Sequence, residues 1–386
     1  MPSPLRQQLA ALVETVVVKI GTRALTTPSG ELDGEQINSI ARQLAAIADG
    51  GRRVVLVSSG AVGAGIGRLG LKSRPTDLAQ LQAAAAIGQS RLMEAYNRAL
   101  EPLGRCAAQV LLTGDDFNDR GRYLNIRNTL FALFDYGAIP IINENDTVRV
   151  EELARRVGDN DRLAALVTNL IRAQLLVLLS DVEGVYDGPP RDPNSKVIPL
   201  VERIDCGTLG LVQGSANDGQ LALSVGGMAS KIEAARLATT AGENVVIANG
   251  RRPDVLIELL AGEEHGTLFL AEGTSLASRK RWIGLTAHPK GRLILDPGAC
   301  TALETKGRSL LAVGVVGVEG EFESGDLVAL IDGAGREIAR GLSNYDTAEL
   351  RKIAGQGSER FAELLGRCTY KEVVHRNNLT LVRRAT

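Results

Sequence analysis

The chain has 386 residues, 44% of them hydrophobic, and its 44 basic residues nearly balance its 45 acidic ones. This length and composition predict two or more globular domains, and the near-neutral charge gives no reason to expect nucleic acid or a membrane surface as the main partner. The cysteines and histidines are widely scattered, which excludes the usual zinc spacings and favours reduced thiols. Because the amino terminus lacks a cleavable signal and no apolar stretch is long enough to span a bilayer, we expect a soluble cytoplasmic protein with no membrane partner.

Strands and helices alternate along the first two thirds of the chain. Predicted strands cover residues 14–20, 53–57, 107–112, 139–142, 175–179 and 245–248, the last strand of this part. Predicted helices cover residues 34–48, 75–100 and 120–136; another is capped by residues 158–161 and ends near 172, and the last begins within 224–231. This alternation predicts a doubly wound α/β domain, with a mostly parallel sheet in an α/β/α sandwich, over residues 1–270.

A different pattern follows residues 271–281, which lack periodicity and are predicted to be a linker. Short β-like runs at 293–295, 310–318, 327–331 and 338–342 are punctuated by Gly and Asp, and helices are expected near 348–354 and 359–365. Residues 282–386 are therefore predicted to form a small β-rich domain.

Lys19 ends the first buried strand. Ligands of parallel sheets collect at the carboxyl ends of the strands, so Lys19 is a candidate ligand contact. A single lysine in this place is more often a side chain that reaches out to solvent. Lys19 therefore becomes informative only together with later segments.

A second lysine, Lys231, follows the pair Gly226-Gly227 and is predicted to lie in the first turn of a helix, where N–H groups and the helix dipole favour anions. Two lysines from distant strand ends are suited to hold a polyphosphate from both sides. Asp161 between them would keep both in place and protonated, although an ordinary helix cap explains Asp161 slightly better when its segment is taken alone.

The predicted strand at 139–142 ends in four polar residues, Asn143-Glu144-Asn145-Asp146. Turn chemistry explains the asparagines, but Glu144 and Asp146 repel each other unless a cation, such as a substrate ammonium group or a metal, lies nearby. Residues 58–67 are glycine-rich and are predicted to be a loop whose backbone N–H groups touch a ligand. The G-x-G-x-x-G at 65–70 lies past its strand end without the expected acidic partner, and no P-loop is present, so neither nucleotide motif applies.

The chain resembles the glutamate 5-kinases of the amino-acid kinase family. The matching segments, in family order, are 17–22, 57–61, 141–146, 157–161, 180–181 and 226–231. The resemblance implies the amino-acid kinase fold and ATP-dependent phosphorylation of the side-chain carboxylate of L-glutamate to L-glutamyl 5-phosphate, the first step of proline biosynthesis. It also implies a homo-oligomer, a dimer or a tetramer.

The same resemblance assigns roles to individual residues. Lys19 and Lys231 would contact the phosphates, with Asp161 aligning them as the third catalytic residue. The glutamate-binding residues would be Ser59, Gly60, Asn145, Asp146 and Asn160. The nucleotide-binding residues would be Lys19, Ser180, Asp181, Val225, Gly226, Gly227, Met228, Ala229, Ser230 and Lys231, and Mg²⁺ would arrive with ATP rather than occupy a metal site of its own. The segment before Met228 is shorter than in the family, which leaves the contacts of Ser224 and Val225 open.

Segments 295–299, 309–316 and 338–345 resemble a PUA domain, a small β pseudobarrel that often binds RNA. Basic residues barely outnumber acidic ones from residue 281 onward, which is a weak electrostatic footprint for nucleic acid. RNA binding is therefore not the favoured role of this part.

Three alternatives remain open at this point. Another member of the family could phosphorylate N-acetylglutamate or aspartate, but Glu144 and Asp146 and the PUA-like part favour glutamate. A uridylate kinase would need a base-recognition pocket, for which no segment is suited. An RNA-binding regulator with an inert kinase-like domain is disfavoured because all the catalytic residues are intact.

Overall fold

The structure is a computed structural model that describes residues 3–27, 31–148, 159–190, 192–204, 222–272, 283, 288–366 and 370–382. The chain divides into two compact units, Met1–Ser275 and Leu276–Thr386. Residues 273–281 of the predicted linker lie outside the described residues, as does Gly158.

Within its described residues, the first unit is built on an eight-stranded sheet. Its strands are β1 (Thr15–Ile20), β2 (Arg53–Ser58), β3 (Ala107–Leu112), β4 (Ile139–Glu144), β5 (Leu175–Ser180), β6 (Leu200–Val201), β7 (Asn244–Asn249) and β8 (Thr267–Phe269). Its helices are α1 (Pro4–Ala11), α2 (Thr22–Leu25), α3 (Gly34–Asp49), α4 (Ala61–Leu69), α5 (Leu78–Leu100), α6 (Arg120–Asp135), α7 (Asp159–Ile171), α8 (Ala222–Ala241) and α9 (Val255–Leu260).

The strand order is β3-β4-β2-β1-β5-β7-β8-β6. Strand β1 therefore lies inside the sheet, with further strands on both sides of it. All neighbouring strands are parallel except β7 and β8. The prediction of a doubly wound, mostly parallel α/β fold is confirmed. The expectation that residues 245–248 hold the last strand was wrong, because β8 adds a fully buried strand of three residues, too short to leave a clear sequence signal.

The side chains of strand β1 point alternately to the two faces of the sheet. Val16, Val18 and Ile20 belong to the main hydrophobic core together with buried residues of α3 and α5. Because successive side chains point to opposite faces of a strand, Lys19 lies on the other face, against which α7 packs.

The glycine-rich segment after β2 is a helix, and the prediction of a loop over 58–67 was wrong. Helix α4 begins at Ala61, after Gly60 in the left-handed conformation with φ of 107°. A β-carbon at Gly65 would overlap the backbone of Ala84, and one at Gly88 would overlap the backbone of Ala61. These two glycines therefore allow α4 and α5 to pack closely, rather than exposing backbone to a ligand.

Lys231 is the tenth residue of α8, so the prediction that it lies in the first turn of a helix was also wrong. Each glycine in a helix costs only about 1 kcal/mol, and the alanine, leucine and methionine residues nearby favour helix, so the helix runs through Gly226-Gly227. Lys231 is about 13 Å from the start of α8, at about 1.5 Å per residue, too far to share the anion preference of that terminus.

The second unit is β-rich, as predicted. Its strands are β9 (Gly291–Leu295), β10 (Leu310–Leu311), β11 (Val315–Gly320), β12 (Leu327–Ile331), β13 (Glu337–Leu342), β14 (Glu372–Val374) and β15 (Leu379–Leu381), and its helices are α10 (Pro297–Lys306), α11 (Thr347–Ile353) and α12 (Phe361–Leu365). A five-stranded sheet in the order β11-β9-β12-β13-β15 accompanies the pair β10-β14. The sheet and helices enclose a separate hydrophobic core that includes Leu293, Val328 and Phe361.

No helix in the described parts of either unit is long and apolar enough to cross a membrane.

Candidate active site

Asp161 lies between the two predicted lysines. Its Oδ1 is 2.5 Å from Lys19 Nζ, and its Oδ2 is 3.3 Å from Lys231 Nζ. Lys19 comes from the end of β1, Asp161 from the first turn of α7, and Lys231 from the middle of α8. The structure thus brings together three charges that are far apart in the sequence.

Two neighbouring groups fix this cluster. Ser230 Oγ donates to Asp161 Oδ2 at 2.7 Å, and Lys231 Nζ donates to the carbonyl oxygen of Gly227 at 3.1 Å. Because the carboxylate of Asp161 is occupied by Lys19, Lys231 and Ser230, it does not act as a helix cap. Asp161 therefore pairs with both lysines rather than capping the helix.

All three charged side chains are buried, with Asp161 only 1% exposed. Burial by itself would raise the pKa of Asp161, but the charges of Lys19 and Lys231 outweigh it and hold the pKa below its ordinary range. Burial lowers the pKa of Lys19, against the attraction of Asp161, and the ammonium group of Lys231 lowers it further. The cluster carries a net positive charge in a site of low polarity, which suits an anionic ligand.

A chain of side-chain amides runs beside the charges. Asn160 Nδ2 donates to Ser59 Oγ at 3.0 Å and to Asn143 Oδ1 at 3.1 Å. Asn143 Nδ2 in turn donates to Gln89 Oε1 at 2.8 Å. Ser59 and Asn160, both predicted to bind glutamate, are therefore in direct contact with each other.

Helix α4 starts immediately after Ser59 and Gly60. Gly60 precedes its first turn without a side-chain cap, so the first N–H groups of the helix have no capping side chain. Uncapped N–H groups at a helix start favour an anion. The anion preference expected at Lys231 is thus supplied by a different helix, next to Ser59.

Asn145 and Asp146 follow the end of β4 and are half-buried. Thr147 Oγ1 donates to Asn145 Oδ1 at 2.7 Å, and Asp146 begins a short 3-10 turn that ends at Val148. These residues lie at the same edge of the sheet as Ser59, because β4 and β2 are adjacent parallel strands.

Ser180 and Asp181 end β5, the strand next to β1. Ser180 Oγ donates to Asp181 Oδ1 at 3.2 Å, and Arg23 is paired with Asp181 Oδ2 at 3.3 Å. Burial would raise the pKa of Asp181, but backbone and side-chain hydrogen bonds, including that from Arg23, hold it below its ordinary value.

The remaining predicted nucleotide contacts lie on α8. Val225 and Gly226 belong to the first two turns of the helix, and their side chains lie outside the described residues. Met228 is half-buried and Ala229 is exposed. Their roles stay predictions.

Two residues of the site, Gln89 and Asn143, were missed as candidates. Asn143 was explained by turn chemistry, although it is buried. Gln89 is a single amide on the apolar face of an alanine-rich helix and is also buried. A buried amide in such a helix requires hydrogen-bond partners, and this requirement could have marked Gln89 as a candidate.

The profile of the Amino acid kinase family matches residues 14–249, and the profile of the PUA domain matches residues 291–365. The first match covers more than half of the chain and includes all the site residues described above. These matches define the class of the protein, an amino acid kinase domain followed by a PUA domain.

Among curated relatives, the Glutamate 5-kinase of Rhodopirellula baltica is 48% identical over 98% of this chain and 96% of that protein. The Glutamate 5-kinase of Gloeobacter violaceus is 50% identical over 94% of this chain and 98% of that protein. Among solved structures, carbamate kinase from Giardia lamblia bound to AMP-PNP is 19% identical, with a TM-score of 0.47, over 68% of this chain and 100% of that one. On its profile match and its full-length relatives, the chain belongs to the amino acid kinase family and, within it, to the glutamate 5-kinases.

Proposed function

We propose that this chain transfers the γ-phosphoryl group of ATP to the side-chain carboxylate of L-glutamate, forming L-glutamyl 5-phosphate for proline biosynthesis. The observation that carries the proposal is the contact of Asp161 with both Lys19 and Lys231. Two buried ammonium groups on one carboxylate leave a surplus of positive charge for a polyphosphate, and the relatives named Glutamate 5-kinase supply the acceptor.

The chemistry needs little acid–base help. A glutamate carboxylate has an ordinary pKa of about 4.3, so at neutral pH it is already an ionised nucleophile and requires no general base. The obstacle is the approach of one anion to another. Positive groups placed where charge spreads in the transition state remove that obstacle.

We assign this electrostatic role to the two lysines, with Asp161 as their support, and to the start of helix α4. Lys19 and Lys231 neutralise the phosphate oxygens, and Asp161 holds the two ammonium groups in place as the third catalytic residue. The uncapped N–H groups at the start of α4 face the reacting groups from the side of Ser59.

The glutamate site would combine Ser59, Gly60, Asn145, Asp146 and Asn160. Asp146 pairs with the α-ammonium group of the substrate, as its half-buried position at the end of β4 allows. The contact between Asn160 and Ser59 supports a single pocket that contains both.

For the nucleotide, Ser180 and Asp181 would contact ATP, and the segment from Val225 to Lys231 would line the same site. Mg²⁺ enters as part of the MgATP substrate. Asp181 acts electrostatically on Lys19, which supports a nucleotide position beside the phosphate-binding lysines.

Trapping of the product with hydroxylamine tests the function directly. The purified chain is incubated with MgATP and a panel that contains L-glutamate, L-aspartate, N-acetyl-L-glutamate and UMP. We expect hydroxamate from L-glutamate above all others, and no activity without an acceptor. Equal ATP hydrolysis with and without glutamate, and no hydroxamate, would refute the proposal.

We extend the proposal to a cytoplasmic homo-oligomer, a dimer or a tetramer, in which the PUA domain does not act through RNA. Light scattering after gel filtration measures the oligomeric state. Gel-shift titration with a mixed RNA pool at physiological salt tests whether the PUA domain binds RNA.

A further inference from the structure

The amide chain beside the charge cluster has a fixed direction. The backbone N–H of Glu144 donates to Asn143 Oδ1 at 2.9 Å. Because a backbone N–H can only donate, the atom of Asn143 that faces it must be the oxygen. The Nδ2 group of Asn143 then points to Gln89, whose facing atom must be the acceptor Oε1.

The same reasoning determines Asn160. Its atom that faces Asn143 Oδ1 must be Nδ2, and that group also donates to Ser59. Its Oδ1 is therefore turned the other way, and this buried oxygen has no hydrogen-bond partner among the described residues. An unpaired buried acceptor next to Ser59, another residue predicted to bind glutamate, is suited to a donor from the ligand.

We infer that Gln89 is a positioning residue for glutamate recognition: it holds the Asn143 amide so that Asn160 presents an acceptor to the α-ammonium group of the substrate. The inference rests on the proposed function, because it assigns the donor to glutamate. Gln89 itself does not touch the substrate.

Helix α5 makes two further contacts near Gln89. Tyr96 lies two turns after Gln89 on the same face, and its hydroxyl is 3.0 Å from Ser58 Oγ. Gly88 lets the helix approach α4 at Ala61, just after Gly60. Helix α5 therefore supports the ends of both β2 and β4 from one face.

Loss of the Gln89 acceptor leaves Asn143 Nδ2 buried without a partner, so that only the Glu144 N–H still holds the Asn143 amide and its position is less well defined. Glutamate binding then weakens because Asn160 no longer offers its oxygen reliably. The phosphate-binding lysines are not part of this chain of amides. We therefore expect the KM for glutamate to rise while kcat and the KM for ATP stay near the wild-type values.

The test compares Gln89→Met with Gln80→Met, the same exchange at an exposed position of α5. We expect Gln89→Met to raise the glutamate KM about tenfold, with kcat within about threefold, and Gln80→Met to change neither. Gln89 Nε2 is itself buried without a partner among the described residues, so methionine also removes an unsatisfied donor and Tm should change little. An unchanged glutamate KM, or an equal loss in kcat and in the KM for ATP, would overturn the inference.

A second variant keeps the inference testable if Gln89→Met does not fold. In Gln89→Glu, burial favours the neutral acid, whose carbonyl oxygen accepts from Asn143 as the amide oxygen does. We expect a glutamate KM within about threefold of wild type, whereas a tenfold rise would contradict the positioning role. Failure of the proposed function is a separate outcome, because the wild-type chain would then give no hydroxamate from glutamate.

Discussion

Replacement of Asp161 by asparagine tests the centre of the site. The exchange keeps the size and shape of the side chain but removes the negative charge that faces Lys19 and Lys231. Both ammonium groups then remain buried without the carboxylate that pairs with them. We expect a loss of stability and a larger loss of activity.

The magnitude follows from the two ion pairs. Unit charges about 4 Å apart attract by roughly 4 kcal/mol at an effective dielectric constant of about 20. Desolvation of the three charged groups offsets most of this, but removal of one partner from a buried pair typically costs about 3–5 kcal/mol. Misplaced lysines also lose transition-state stabilisation of about 2.7–4 kcal/mol, or a factor of about 10² to 10³ in kcat.

Two pH effects accompany the exchange. Asp161 raises the pKa of Lys19 against the effect of burial, so in Asp161→Asn the alkaline fall in kcat should move to lower pH. The pKa of Asp161 is held low in the folded protein, so its stabilising effect is fully present above the unfolded pKa of about 3.9 and is lost as the pH falls through the folded value. The difference in unfolding free energy between wild type and variant should therefore shrink below about pH 4.

Hydroxamate formation measures kcat across the pH range, and urea unfolding measures stability. Asp49→Asn is the matched control, because Asp49 pairs with Arg105 at the surface and is 62% exposed, where such pairs contribute about 0–1 kcal/mol. If Asp161→Asn kept kcat within about threefold and left the alkaline limb in place, the role of Asp161 as organiser of the two lysines would be refuted.

Three further predictions concern the lysines, the substrate ammonium and the helix contact. Lys19→Ala and Lys231→Ala should each lower kcat by about 10² or more with little change in glutamate binding; steady-state kinetics with a raised glutamate KM and normal kcat would contradict this. If Asp146 pairs with the α-ammonium group, N-acetylglutamate should be a very poor substrate, and comparable turnover of the two compounds in the hydroxamate assay would exclude the pairing. Gly65→Ala should destabilise the protein by about 1–3 kcal/mol or more in urea unfolding, because the new methyl group overlaps backbone of α5. Gly67→Ala, on the same helix with its nearest neighbour 3.6 Å away, is the control and should be neutral or slightly stabilising; equal effects would refute the close-packing role.

Several parts of the fold were predictable from local patterns. The buried strands β1, β2, β4 and β5 are continuous apolar runs, and the sequence places them within one or two residues of their observed bounds. Lys19, Asp146 and Ser180 stand at strand ends, and parallel strands bring their carboxyl ends to one edge of the sheet. The sequence therefore predicted that these residues lie at one edge of the sheet.

The loop predicted over 58–67 and the helix start predicted before Lys231 were wrong because a glycine in the sequence is compatible with more than one local structure. Glycine serves a loop, a left-handed turn or a close helix contact, and only the neighbours decide which. Gly60 is a left-handed residue, Gly65 allows a close helix contact, and Gly227 lies within a helix that continues past it.

The sequence by itself determined the order of strands and helices, the family and the residues that carry charge at the strand ends, because these depend on neighbours in the chain. Only the tertiary structure decided which of those residues meet. Asp161 could have been a helix cap, and it became the partner of two lysines because α7 packs against β1 and α8 packs against α7. Gln89 gained its place in the amide chain because α5 brings it within hydrogen-bond distance of Asn143 on β4. Burial and hydrogen-bond direction depend on groups that are distant in the chain, so no local pattern contains them.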